Sequence, residues 1–333
     1  MYTDIPFWLS LVFMFGGLAA LAWSSDLFVD GAAQLAKALG ISPFVIGMVV
    51  IGFGTSAPEL IVSALAGVSG HSDLSLGNAY GSSAFNIAVI LGVSAMILPL
   101  VVRPAVSFVA GPMLAAISVF SIFALRDGVC SRIDAAILIV AFAVLMPLYC
   151  WFDQKARPVD PGANVHGDAK SAGRRLVLIA ALKAVVGLAA LVASSHVLVW
   201  GAVDFARQMG VSDLVIGLTI VACGTSLPEL ASAVASARRG EHEFVLGNIM
   251  GSNLFNMLAV VGIATVISPS EGFSGYIVVR DLPFLLALSL SITLFGMNWR
   301  SPGSPGTITR GKAATWLLAF TAYAAVMLWQ ELR

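Results

Sequence analysis

The chain carries one seven-residue pattern twice, and both copies lie in apolar segments. Residues 54–60 read Gly-Thr-Ser-Ala-Pro-Glu-Leu and residues 224–230 read Gly-Thr-Ser-Leu-Pro-Glu-Leu, so the copies are 170 residues apart. Each copy places one carboxylate, Glu59 or Glu229, inside a segment that is hydrophobic enough to cross a membrane. An ionisable side chain at that depth is costly and marks a functional site. Two of them at equivalent positions of a repeat predict one shared ion site near the middle of the bilayer.

The composition is that of an integral membrane protein. Hydrophobic residues make up 59% of the 333 residues and charged residues only 11%, with a mean hydropathy of +0.94, whereas soluble domains carry about 25% charged residues. A spanning helix needs about 20 apolar residues. We therefore predict an all-α membrane protein with ten transmembrane helices. Their positions are about residues 6–35, 42–67, 75–99, 104–125, 131–152, 173–206, 212–238, 243–268, 280–298 and 309–330.

The similarity between the two copies extends beyond the seven residues. An alignment without gaps runs from Gly40 and Gly210 to Gly92 and Gly262. Because the copies are five predicted spans apart, the second half must enter the membrane from the opposite side, as in transporters built from inverted repeats. We predict an N-terminal five-helix repeat at residues 1–152, a cytoplasmic linker at 153–172 and an inverted C-terminal five-helix repeat at 173–333.

The distribution of Lys and Arg predicts the orientation, because cytoplasmic loops are enriched in both. Five cations lie on one side of the predicted spans, and Lys183 falls inside a span. The other side carries twelve, namely Lys37, Arg103, Lys155, Arg157, Lys170, Arg174, Arg175, Arg238, Arg239, Arg300, Arg310 and Lys312. We therefore expect both termini outside and a location in the cell (inner) membrane. The formal net charge is zero, and no basic patch indicates a nucleic-acid partner.

The residues around each glutamate are those of a cation site. Gly54 and Pro58 predict a break in the helix, because proline removes a backbone hydrogen bond, and the freed carbonyls are tolerated only where protein or a cavity satisfies them. Thr55 and Ser56 add hydroxyl groups one turn before Glu59, and the second copy repeats them. The following helix adds pairs four residues apart, which share one helical face. These pairs are Ser82 with Asn86 and Ser252 with Asn256.

The predicted ligands are all oxygen atoms, which suit hard cations such as Ca²⁺ or Na⁺. The cysteines Cys130, Cys150 and Cys223 show no spacing typical of a zinc or redox site. Two ionised glutamates carry a charge of −2, which one Ca²⁺ or two Na⁺ would neutralise. An empty, charged site in low dielectric is costly. The site should therefore switch from one side of the membrane to the other only when it holds ions, as an antiporter requires.

These motifs resemble those of the sodium/calcium exchanger family, within the larger cation/Ca²⁺ antiporter superfamily. The family patterns Gly-Thr-Ser-x-Pro-Glu-Leu and Gly-Asn-x-x-Gly-Ser-Asn-x-Phe-Asn stand here at residues 54–60, 77–86, 224–230 and 247–256. The resemblance is to a short prokaryotic-type member. It implies that ions are held between the second, third, seventh and eighth helices, with help from backbone oxygens near Gly52 and Ala222. The first and sixth helices would slide across this core.

The resemblance also implies a set of metal ligands. They are Thr55, Ser56, Glu59, Ser82, Asn86, Thr225, Ser226, Glu229, Ser252 and Asn256.

The chain departs from the family pattern in three respects. Asn256 stands where family members often have aspartate, which weakens the case for exchange of three Na⁺ per Ca²⁺. Ser83 replaces the asparagine that Asn253 keeps. The linker of about 20 residues leaves no room for the calcium-sensing domains of animal members.

The leading hypothesis is a secondary antiporter that exchanges Ca²⁺ against Na⁺ by alternating access. It is not an enzyme, has no cofactor beyond its transported ions, and needs only the lipid bilayer and one copy of the chain. Coupling to H⁺ is the alternative, and Asn256 keeps it open. A cation channel is less favoured, because filters are normally rings of identical subunits. An intramembrane enzyme lacks a His/Cys ligand set.

Several polar residues outside this set receive structural interpretations. Asn78 and Asn248 are expected to form hydrogen bonds between helices. Asp26 and Asp30 are expected at the cytoplasmic interface or facing a vestibule, and Lys183 is expected to extend towards the membrane interface. His196, which aligns with Asp26, is a less favoured candidate for a proton role.

Overall fold

The computed structural model describes residues 6–155, 172–210 and 222–331. Residues 156–171 of the predicted linker and residues 211–221, where the seventh span is predicted to begin, lie outside the described residues. The helices are α1 (Phe7–Leu39), α2 (Pro43–Thr55), α3 (Ala57–Val68), α4 (Ser72–Ile97), α5 (Val106–Leu125), α6 (Arg132–Lys155), α7 (Ala172–Gln208), α8 (Ala222–Gly224), α9 (Leu227–Arg238), α10 (His242–Ile267), α11 (Ile277–Gly296) and α12 (Arg310–Glu331).

The protein is an all-helical membrane protein. Within the described residues, eight helices are long and apolar enough to cross a membrane, or nine if α2 and α3 count as one bent span. The sequence predicts ten, and residues 211–221 of the predicted seventh span lie outside the described residues. Two short antiparallel strand pairs lie between helices. β1 (Leu100–Val102) pairs with β4 (Gly306–Ile308), and β2 (Val129–Cys130) pairs with β3 (Ser270–Glu271).

The predicted break at the first motif is present. α2 and α3 meet at an angle of 42°, and Ser56 between them has φ −85° and ψ 5°. Pro58 lies in the first turn of α3, where its missing N–H would have no helical partner. Ser226 has nearly the same backbone angles before α9, with φ −90° and ψ 8°. The motif therefore ends one helical segment and begins another in both copies.

Helices α1 and α7 pack along their length through glycines. A Cβ on Gly17 would lie 2.8 Å from the backbone nitrogen of Leu198, and one on Gly187 would lie 2.6 Å from the Cα of Phe28. Small residues let helix backbones approach closely in membranes. Near the middle, the Ser24 and Ser194 hydroxyls are 3.2 Å apart. The close approach makes α1 and α7 a single packing unit.

Helix α10 lies at the centre of the protein. Every residue from Phe244 to Leu254 is buried, and so is the stretch Phe255–Val260. Several stretches within the described helices have the wider π-helical hydrogen-bond pattern, which is common at functional sites. They are Gly47–Gly52, Asn86–Leu91, Val106–Ala110, Phe255–Val260 and Ile277–Asp281. Asn86 begins the second of them, and Asn256 lies in the fourth.

Candidate functional site

The two glutamates are fully buried, and each is bonded to the other copy of the motif. Ser56 donates its hydroxyl hydrogen to Oε1 of Glu229 over 2.9 Å. Ser226 donates in the same way to Oε1 of Glu59 over 3.2 Å. Both carboxylates have an exposed fraction of 0%. The two copies, 170 residues apart in the chain, therefore meet at one place, as the sequence analysis predicts.

Local structure explains how each glutamate reaches this place. Glu59 lies in the first turn of α3, and Glu229 lies in the first turn of α9. The free N–H groups and the dipole at a helix N-terminus favour a negative charge there. The break before each helix therefore both points the carboxylate inward and lowers the cost of its charge.

Asn78 and Asn248 hold the backbone of the two glutamates. Asn78 donates through Nδ2 to the carbonyl of Glu59 over 3.1 Å. Asn248 donates to the carbonyl of Glu229 over 3.2 Å. Oδ1 of Asn248 also faces the hydroxyls of Ser252 at 3.4 Å and Thr55 at 3.5 Å. Both asparagines therefore form the bonds between helices expected from the sequence, and Asn248 also links the two copies.

Side-chain hydroxyl groups donate hydrogen bonds to backbone carbonyl oxygens at the helix breaks. The Thr55 hydroxyl donates to the carbonyl of Ile51 over 2.9 Å. Ser252 donates to the carbonyl of Gly52 over 3.2 Å. Ser195 of α7 donates to the carbonyl of Gly224 over 3.2 Å. The carbonyl groups freed at the helix breaks thus accept hydrogen bonds partly from side chains of neighbouring helices, as backbone groups at membrane depth require.

Among the described residues, seven polar atoms of the repeated motifs are buried without a hydrogen-bond partner. They are Glu59 Oε2, Glu229 Oε2, Thr225 Oγ1, Asn86 Oδ1, Asn253 Nδ2, Asn256 Oδ1 and Asn256 Nδ2. A buried polar atom without a partner costs about 1–3 kcal/mol. Five of the seven are oxygens, and they belong to five of the ten predicted ligands. This oxygen-rich pocket has the chemistry of a hard-cation site.

All ten predicted site residues lie within the part of the chain that the structure describes. Ser82 lies buried on α4 one helical turn before Asn86, and Ser252 occupies the equivalent place on α10 before Asn256. Within the described ranges 6–155, 172–210 and 222–331, no three His, Cys, Asp or Glu side chains converge on one point. The acidic groups of the site are therefore Glu59 and Glu229.

A cavity of about 260 Å³ leads to Thr225. It lies between α7 and the beginnings of α3 and α9. Pro58, Pro228 and Thr225 form one wall, and Ser195 and His196 of α7 form part of the other. Sequence analysis places His196 in a span but does not identify this cavity, since its walls come from three segments that are distant in the chain.

The acidic residues of α1 lie away from the glutamates. Asp30 Oδ2 is 3.1 Å from Nζ of Lys183 on α7. Arg239, which follows α9, is 3.4 Å from Asp26 and 3.6 Å from Asp30. These side chains are partly exposed. Lys183 therefore has an acidic partner on α1, which the sequence analysis did not anticipate.

Comparison with known proteins places this geometry among ion exchangers. The family model described as "Sodium/calcium exchanger protein" matches residues 9–151 and 179–329. The putative antiporter CaxA of Alkalimonas amylolytica is 37% identical over 94% of this chain and 96% of its own length. The inner membrane protein YrbG of Escherichia coli is 32% identical over 94% and 95%.

A solved structure shares the fold. The sodium-calcium exchanger NCX_Mj, soaked with 2.5 mM Na⁺ and 0.1 mM Ca²⁺, superposes with a TM-score of 0.80 at 28% identity. The match covers 95% of this chain and 98% of that one.

Proposed function

Because the chain belongs to the sodium/calcium exchanger family, we propose that it is a secondary antiporter that exchanges Ca²⁺ against Na⁺ by alternating access. The observation that carries this proposal is the reciprocal pair of bonds from Ser56 to Glu229 and from Ser226 to Glu59. It joins two carboxylates from separate halves of the chain in one buried, oxygen-lined pocket. Proteins of this family are transporters, so the two acidic groups serve ion binding rather than catalysis.

The ten residues predicted from the sequence form the proposed ligand set. The acidic charge of −2 matches one Ca²⁺ or two Na⁺. Candidate ligand atoms are the oxygens without a hydrogen-bond partner on Glu59, Glu229, Thr225, Asn86 and Asn256. A protein site of this kind offers six to eight oxygens to Ca²⁺. Competition between the two ions for the same oxygens would make binding of one release the other, which is the basis of exchange.

The proposed architecture is ten transmembrane helices in two inverted halves, residues 1–152 and 173–333, joined by the linker 153–172. The reciprocal Ser–Glu bonds join equivalent residues of the two halves, and this supports the proposal. We further propose an inner-membrane location with both termini outside, in keeping with the Lys and Arg distribution and with the relative YrbG. One copy of the chain contains both halves of the site, so a monomer suffices.

Alternating access needs one part of the protein to move relative to the site. The α1–α7 unit is the proposed moving part, because its glycines bring the two helix backbones into contact, whereas Gly54 and Gly224 of the motifs meet α7 only through side chains. The cavity between α7 and Thr225 is the proposed entry route in this conformation. A shift of α1 and α7 across α3 and α9 would close it and open the opposite side.

Proton coupling is the second candidate. Asn256 is neutral, so the two buried glutamates carry all the acidic charge of the site, and each can take up a proton in place of Na⁺. The similarity to NCX_Mj, a sodium-calcium exchanger, favours Na⁺.

Transport in proteoliposomes tests both candidates. We expect ⁴⁵Ca²⁺ uptake driven by an outward Na⁺ gradient, and loss of this uptake to background in Glu59→Gln and in Glu229→Gln. Glu241→Gln, which removes a carboxylate from the loop before α10, is the matched control and should transport normally. Normal uptake by either site variant would reject the proposed site. Uptake driven by a pH gradient without Na⁺ would favour proton coupling, and sustained single-channel currents would favour a channel.

A further inference from the structure

The second motif differs between the two copies at one buried position. Residues 81–86 read Gly-Ser-Ser-Ala-Phe-Asn and residues 251–256 read Gly-Ser-Asn-Leu-Phe-Asn, so Ser83 stands where the other copy has Asn253. Both side chains have an exposed fraction of 0%. Each lies three residues before a candidate ligand, Asn86 or Asn256. The difference therefore lies inside the proposed ion site.

The two residues form different contacts. Oδ1 of Asn253 accepts a hydrogen bond from Nδ2 of Asn86 over 3.1 Å, across the two copies. The Ser83 hydroxyl donates to the carbonyl of Ala79 in its own helix over 2.9 Å. Asn86 thus has a partner from the other copy. Asn256 has none, since both its Oδ1 and its Nδ2 are buried without a hydrogen bond.

The bond to Asn253 favours one orientation of the Asn86 carboxamide. A carboxamide is planar, with its oxygen and its NH₂ group on opposite sides of the terminal carbon. With the NH₂ group directed at Asn253, the Asn86 oxygen must point elsewhere, and it is buried without a donor. Turning over the Asn86 group alone would place two carbonyl oxygens against each other, and Nδ2 of Asn253 is itself buried without a partner. Asn86 therefore has a hydrogen-bond partner in the orientation that leaves its oxygen free, whereas Asn256 has none among the described residues.

We propose that Asn253 is a positioning residue that holds the Asn86 oxygen in the orientation needed to bind the transported cation, and that the site consequently has one fixed and one adjustable carboxamide. This inference rests on the proposed function. A ligand held in its binding orientation before the ion arrives costs less to order on binding. Asn253 should therefore raise the apparent affinity for Ca²⁺ without contacting the ion.

The first test replaces Asn253 with the residue that the other copy uses. In Asn253→Ser we expect the KM for Ca²⁺ to rise about fivefold, the effect of losing one buried hydrogen bond, with kcat within about twofold of the wild type. A role in folding alone would reduce the yield or the thermal stability and leave the KM unchanged, and that result would overturn the proposal.

A double-mutant cycle identifies the partner. Because Asn253 acts through Asn86, adding Asn253→Ser to Asn86→Ala should raise the KM no further, whereas adding it to the matched variant Asn256→Ala should raise the KM by the full factor. Independent effects with Asn86→Ala would overturn the proposal. If no variant moves the KM while the wild type exchanges Ca²⁺ for Na⁺, the inference fails and the proposed function stands. Absence of wild-type exchange rejects the proposed function itself.

Asn253→Asp provides a second test if Asn253→Ser does not fold. An aspartate has nearly the same shape and can still accept from Nδ2 of Asn86. Asn86→Ala should therefore raise the KM by the same factor in the Asn253→Asp background as in the wild type. A smaller factor in that background would contradict the positioning role. Both proteins in the Asn253→Asp background carry the added charge, so each factor is measured at a constant charge on residue 253.

Discussion

The proposed ion site and the α1–α7 unit differ in how far the two halves of the chain agree. At the proposed site the motif residues around each glutamate recur, and the Ser56–Glu229 and Ser226–Glu59 bonds are reciprocal. Along α1 and α7, equivalent positions carry different chemistry. Asp26 aligns with His196 and Asp30 with Trp200, and Ser69 stands at the position equivalent to Arg239.

This divergence gives the two ends of the helix pair different contacts. At one end, Arg239 forms ion pairs with Asp26 and Asp30. His196 and Trp200, at the equivalent places on α7, line the cavity that leads to Thr225. Transport requires the same ligands to be reached from both sides of the membrane. It does not require the two conformations, each open to one side, to be equally stable. The residues of the proposed ion site are therefore duplicated, whereas those proposed to set the balance between conformations are not.

The largest effect is expected from crowding the helix pair. Gly17→Val places a side chain against the backbone of Leu198, with the Cβ 2.8 Å from its nitrogen, and α1 and α7 must separate to accommodate it. We expect loss of Na⁺-driven Ca²⁺ uptake and a lower yield of monodisperse protein. The control is the neighbouring Gly16→Val, where no atom lies within 4 Å of the added Cβ. Equal behaviour of the two variants would contradict the close packing described above.

A smaller effect on the KM for Ca²⁺, similar for the two halves of the chain, is expected at the proposed site. Ser56→Ala and Ser226→Ala each remove one donor to a buried carboxylate, and hydrogen bonds to charged groups contribute about 1.5–3 kcal/mol. We expect the KM for Ca²⁺ to rise about 10- to 100-fold in each variant. Because the two bonds are reciprocal, the factors should agree within about threefold. A large effect of one variant beside a normal KM for the other would show that the halves do not contribute equally.

The smallest effect is expected from the ion pairs at Arg239. Partly exposed ion pairs contribute about 0–1 kcal/mol each, so Arg239→Ala should shift the balance of conformations by about two- to fivefold. The measurement is the labelling rate of Val199→Cys, which lines the cavity, in a Cys150→Ala/Cys223→Ala background with a membrane-impermeant thiol reagent. We expect slower labelling, since the conformation with the open cavity loses these contacts. Arg238→Ala is the control, and an equal change in both variants would assign the effect to charge alone.

The amino-acid sequence by itself determined the composition of the site. The repeated motif, the acidic residues within apolar segments and the four-residue spacing of Ser82 and Asn86 are local patterns, and each has one physical interpretation at membrane depth. The helix break at Pro58 follows in the same way, because proline cannot continue the hydrogen-bond ladder. The prediction of ten spans and inverted halves rests on a count of apolar segments, and the described helices support eight or nine of those spans.

Only the tertiary structure decided which residues meet across the two halves. The bond from Asn86 to Asn253, the ion pair of Lys183 with Asp30 and the cavity beside Thr225 each join segments more than 100 residues apart or more than two helices. No periodicity encodes such contacts, because they depend on the crossing angles and separations of packed helices. The chemistry of this protein therefore follows from short motifs, whereas the pairing of motif residues across the two halves follows only from how the helices pack.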